Sequence, residues 1–119
     1  MRPADLLRRY VEEHTAVVRE GSNKALAGVF DEDAEMRFEG IAVGPFMGRA
    51  AIVAAIHAEP PSDELSVGRI LEDDERAIAP YVWKNSTTPG GELVVFRGKT
   101  GIAKLIVRVK PVSPASNLR

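Results

Sequence analysis

The chain has 119 residues, 45% hydrophobic and 28% charged, which fits one soluble globular domain large enough to hold a core without staples. Its net charge of −1 leaves no basic field for a nucleic acid backbone or an anionic membrane, so neither is expected as a partner. Cysteine is absent, which excludes disulfides, thiolate metal sites and cysteine nucleophiles, and no apolar run approaches the ~20 residues of a membrane span.

The first residues lead straight into a charged amphipathic pattern with no signal-peptide core, so a cytoplasmic location is expected. Pro3 suits a first helical turn and Asp5 the positive end of a helix dipole. Leu6, Leu7, Tyr10, Val11, His14, Val17 and Val18 then recur at helical spacing, and Gly21 stops the helix. Ser22 or Asn23 can cap a second, shorter helix through Phe30. Asp31, Glu32 and Asp33 read as a polar turn.

Strand one, 34–39, alternates: Met36 and Phe38 point one way, Glu35, Arg37 and Glu39 the other. The loop 40–48 is rich in glycine yet carries Ile41, Val43, Phe46 and Met47, so it is expected to fold over a hydrophobic opening. A third helix over about 49–58 buries Ile52, Val53 and Ile56 and ends before Pro60 and Pro61. Strands follow at 65–72 and 76–84 around a turn at Asp73 and Asp74, then at 93–97 and 102–110 around a second hairpin turn. Pro111 and Pro114 end the sheet. Residues 1–110 thus read as a single domain and 111–119 as a C-terminal tail.

Three helices followed by a run of strands give an α+β architecture in which a strongly bent antiparallel sheet wraps the N-terminal helices. A sheet bent around the long first helix is expected to enclose a pocket at its open end. Tyr81 and Trp83 share one strand face, and large rings with a polar tip suit either a cavity wall or an ordinary core edge.

The element order, together with FDEDAEMRFEG at 30–40, VGPFMGRAAI at 43–52, the prolines after helix three and GKTGIAKLIV at 98–107, resembles the SnoaL-like and ketosteroid-isomerase-like families. These belong to the superfamily named after nuclear transport factor two. The resemblance spans about 6–109 and implies the cone-shaped barrel, a homodimer paired through the outer sheet face and an apolar pocket inside. It leaves the reaction open, because members include isomerases, polyketide cyclases and proteins without catalysis. Carried over residue by residue, the isomerase's helix-one tyrosine falls at His14 and its general-base aspartate at Phe38, with Glu39 beside it. Its protonated aspartate falls near Glu92. Phe38 cannot take a proton, so Glu39 replaces the base only if a bulge or Gly40 turns it inward.

Several residues are candidates for chemistry. His14, on the apolar stripe of helix one, can shuttle protons if it meets a carboxylate, or it is a core-edge histidine bonded to a backbone carbonyl. Glu39 is a desolvated base or a solvated strand-end carboxylate paired with Arg37. His57, in the last turn of helix three, is explained by the dipole or faces the pocket. Tyr10 donates a phenolic hydrogen bond into the cavity or packs. The aspartates cluster in turns, away from the Asp–Arg–Asp group of an epoxide hydrolase. Gly98-Lys99-Thr100 lacks the upstream glycine of a phosphate loop, and two histidines far apart in sequence offer no metal spacing.

The expected function is therefore cofactor-free, metal-free acid–base isomerase or cyclase chemistry on an apolar cyclic or polyketide-like molecule. His14 and Glu39 form the acid–base pair, and Tyr10, Phe38, His57, Tyr81 and Trp83 contact the substrate. The alternative is a non-catalytic ligand-binding or dimerisation module with the same fold.

Overall fold

The computed structural model describes residues 1–109; the expected sheet end at Pro111 and Pro114 and the tail 111–119 lie outside the described residues. Helix α1 runs over Pro3–Glu20, with Pro3 opening it and Asp5 and Arg19 complementing its dipole. Its first turn has a cap from elsewhere in the chain: Ala4 N–H donates to Glu72 Oε2 at 2.9 Å. Gly21, at φ 76°, ends the helix by donating to Val17 O, a left-handed geometry that glycine adopts without penalty. The stripe Leu6, Leu7, Tyr10, His14 and Val17 is buried.

Helix α2 is a single turn, Lys24–Ala27, shorter than expected, and Phe30 belongs to the following strand. Strand β1 covers Phe30–Glu39, so the expected acidic turn at 31–33 is strand. The reason is Asp31. Its carboxylate is buried and accepts from Lys99 N (2.8 Å), Thr100 N (3.0 Å), Thr100 Oγ1 (2.9 Å) and Gly101 N (2.6 Å). The backbone N–H groups of the turn between the last two strands are thereby satisfied by one side chain. A Cβ at Gly98 would lie 1.8 Å from Asp31 Oδ2, so the clasp also demands glycine there.

Helix α3, Arg49–Ala58, has the expected bounds. The remaining strands are β2 (Phe46–Met47), β3 (Leu65–Val67), β4 (Leu71–Glu72), β5 (Arg76–Trp83), β6 (Gly91–Arg97) and β7 (Ile102–Val109). The single strand expected over 65–72 is broken in two. Pro80 on β5 has no N–H to continue the ladder, and only its carbonyl is used, by Gly68 N at 2.8 Å.

Together the strands form one sheet in the order β2-β1-β7-β6-β5-β3, with β4 also on β5. One pairing departs from the antiparallel expectation: β1 runs parallel to β7, with Met36 opposite Leu105 and Phe38 opposite Val107. These two strands are joined by a long crossover rather than a hairpin, which permits the parallel arrangement. The sheet is strongly curved and unclosed. Helix α1 packs on β5 and β6, and α3 on β1. Among the described residues, no helix is long and apolar enough to cross a membrane.

Candidate functional site

Strand alternation sends Phe38, Leu93, Val107, Tyr81 and Trp83 to the concave face, opposite α1. Between them lies a cavity of ≈ 400 Å³ whose lining includes Tyr10 and His14 from α1, Met36 and Phe38 from β1, and Tyr81 and Trp83 from β5. Ile56 of α3 and Thr88 and Pro89 of the β5–β6 loop complete the wall, and Glu59 and Pro61 stand after α3. This volume lies in the range of small-molecule sites.

The rings form a connected chain. Tyr10 and His14 centroids are 6.0 Å apart, His14 and Trp83 6.1 Å, and Trp83 meets Tyr81 edge-on at 5.7 Å. His14 is only 6% exposed, and its Nδ1 has no hydrogen-bond partner. Burial lowers its pKa from 6.5 to about 4, against the opposing pull of Asp63 and Glu64. The imidazole is therefore neutral at pH 7, and its ring forms part of the cavity wall while Nδ1 is sealed from solvent without a partner. Burial, and then the neighbouring Tyr81, push the Tyr10 phenol up; burial alone does so for Tyr81. Both hydroxyls stay protonated donors.

Glu39 is not part of this constellation. Phe38 faces inward, so Glu39 faces outward, and Gly40 does not turn it back. Its Oε1 accepts from Arg108 Nε at 3.0 Å, and Arg108 also reaches Glu92 Oε1 at 3.4 Å. The expected pair of His14 with Glu39 is thus divided between the two faces of the sheet, and Glu92 sits on the outer face too. His57 is exposed and lines a separate groove with Asn23, Glu32 and Arg49. Tyr10, His14, Phe38, Tyr81 and Trp83 are brought together; Glu39 and His57 are not.

Sequence reasoning missed Ile56, Val107, Thr88 and Glu59 as lining residues. The alternation of β7 could have found Val107. Nothing in the Glu59-Pro60-Pro61 run signals a cavity. The 40–48 loop covers the opening as expected, with Ile41 on the cavity wall, but it leaves more apolar surface in water than its composition implied. Phe46 packs edge-on against Phe38 at 6.4 Å, but Ile41 and Val43 are each 44% exposed and Met47 62%. Among the described residues, no group of three or more His, Asp or Glu side chains is placed to share a metal ion.

No protein-family model matches the chain, and no curated protein matches it. Solved structures do. An NTF2-like (nuclear transport factor two-like) protein of unknown function from Cytophaga hutchinsonii is 16% identical with a TM-score of 0.72, covering 93% of this chain and 92% of that one. A candidate polyketide cyclase from Sinorhizobium meliloti is 21% identical (TM-score 0.65, covering 87% and 93%). A candidate ketosteroid isomerase from Kribbella flavida is 16% identical (TM-score 0.62, covering 97% and 85%). At these identities the likeness is one of fold: the chain has the nuclear transport factor two-like fold, as its sequence pattern implied.

Proposed function

We propose that this chain is a small-molecule enzyme of the isomerase or cyclase type, acting without a cofactor on an apolar cyclic or polyketide-like carbonyl compound. The observation that carries this reading is the buried, neutral imidazole of His14 in the wall of a largely apolar cavity. A neutral imidazole held among apolar side chains can take up a proton from a bound ligand, because water does not compete for it there.

In this reading His14 takes a proton from the carbon beside a carbonyl. The electron pair passes to the carbonyl oxygen as an enolate, which accepts a hydrogen bond from the Tyr10 or Tyr81 phenol. Where a carbon–carbon double bond conjugates with the enolate, the imidazolium returns the proton at the far carbon of that dienolate. Otherwise the enolate carbon adds to a second carbonyl to close a ring, and the alkoxide so formed takes the proton back from the imidazolium. Phe38, Tyr81 and Trp83 hold the apolar body. Because the base must be neutral, kcat/KM is expected to rise with pH through about 4 and then level off.

The second reading, a binding module, is favoured by one observation: Glu39 lies outside, leaving Glu59 as the carboxylate among the lining residues. The two are separated by deuterium exchange at the α-carbon of cyclohexanone, with binding followed by the fluorescence of Trp83, the single tryptophan. Exchange that is lost in His14→Phe supports the enzyme. Binding with no exchange in either protein supports the module.

The homodimer belongs to the same proposal. The outward face of β4 and β5 carries Leu71 and Val82, 57% and 58% exposed, beside Pro80 and the charges of Glu39, Glu92 and Arg108. A second copy presenting the same apolar strip and both signs of charge is the occupant that fits, and light scattering at twice the monomer mass is expected. A cytoplasmic location is also proposed, and the absence of cysteine suits it.

A further inference from the structure

A second apolar volume, ≈ 520 Å³, lies under the 40–45 loop, between it and α3. It is bounded by Ala42, Val43, Phe46, Ala55 and Ala58. It adjoins the His14 cavity: Met36, Phe38, Ile41, Ile56 and Glu59 line both. The alanines of α3 leave this trough open instead of filling it, and Ile41 and Val43 keep much of their surface in water beside it. Apolar surface left exposed beside an apolar cavity favours a ligand that extends from one onto the other.

Charge narrows the chemistry. Among the described residues, no Lys or Arg lines either volume, and Glu59, at their junction, is the charged side chain common to both. A carboxylate or phosphate on the ligand would meet no cation, would lose its hydration and would face Glu59.

We infer that the cavity and the trough form one site for an uncharged molecule of two parts. A compact cyclic carbonyl head sits beside His14, and an apolar tail runs past Phe38 and Ile56 under the 40–45 loop. This inference rests on the proposed function for the head and adds the tail and the exclusion of anions.

The test uses 4-alkylcyclohexanones with side chains of zero to eight carbons and the matching 4-alkylcyclohexanecarboxylates, titrated against the full chain by Trp83 fluorescence. Ketone affinity is expected to rise about two- to fourfold per methylene, because each buried methylene contributes up to about a factor of four, until the trough is filled. The carboxylates are expected to bind at least tenfold more weakly than the ketones. Ala58→Phe, at an exposed position of α3, should flatten the rise with chain length. Glu59→Gln should narrow the gap between ketone and carboxylate. A flat ketone series in the wild-type chain, with cyclohexanone itself bound, overturns the inference and leaves the proposed function standing. Carboxylates binding as well as ketones overturn the exclusion of anions. Failure of every ketone to bind, the bare ring included, overturns the proposed function and this inference together.

Discussion

Two polar side chains are buried to the same degree in this molecule and serve opposite ends. Asp31 and His14 are each 6% exposed. Asp31 accepts four hydrogen bonds, and although burial alone pushes its carboxyl up, those bonds from Thr100, Lys99 and Gly101 outweigh it and hold it below its ordinary range. His14 Nδ1 has no partner, and burial drives the ring to neutrality. The first is a finished contact that joins β1 to the β6–β7 turn. The second is an unfinished contact on a ring that lines a cavity. The difference teaches that burial alone does not mark a functional group, whereas burial with hydrogen-bonding capacity left over does.

Removing the finished contact should have the largest effect. Asp31→Ala strips one acceptor from several turn donors and is expected to cost about 3 to 4 kcal/mol in chemical denaturation. A loss below about 1 kcal/mol would show that water replaces the carboxylate at little cost.

The unfinished contact should respond to acid. The unfolded chain binds a proton at His14 near pH 6.5 and the folded chain only near 4, so stability is full above 6.5 and declines as pH falls towards 4, by about 3 kcal/mol at most. His14→Phe should remove that decline and abolish turnover while leaving stability at pH 7 within about 1 kcal/mol, since an apolar ring of similar size replaces an unsatisfied one. Asp31 works lower on the scale: its contribution is present above the unfolded value of 3.8 and is lost as pH falls through its depressed folded value. A His14→Phe protein with an unchanged slope between pH 6.5 and 4 would break the comparison.

Glu39 provides the smallest effect. Its pair with Arg108 is exposed on both sides, so Glu39→Gln should change stability by less than about 1 kcal/mol and leave kcat/KM within twofold. A larger loss of turnover would bring Glu39 back into the chemistry.

The residues that were readable from sequence are those whose information is local. Pro3 and Gly21 bound α1, Pro60 closes α3, and period-two alternation puts Phe38, Tyr81 and Trp83 on one face. What escaped depends on partners far along the chain. Asp31 looks like a turn residue until its acceptor role for Lys99 and Thr100 is known. Nothing near β1 tells that it will run parallel to β7. At the site, alignment by resemblance put Glu39 next to the isomerase base, but the pleat decides between faces one residue at a time, and it turned Glu39 to water.

The parallel seam of β1 with β7 also has a kinetic consequence. Apart from the two-residue β2, β1 has no ladder neighbour until β7 arrives. During synthesis α1 and β1 therefore leave the ribosome long before their seam can close. Folding must wait for contacts of high sequence separation, which slows it. Until then Met36 and Phe38, which the folded chain covers wholly or in part, lie open to association with other chains.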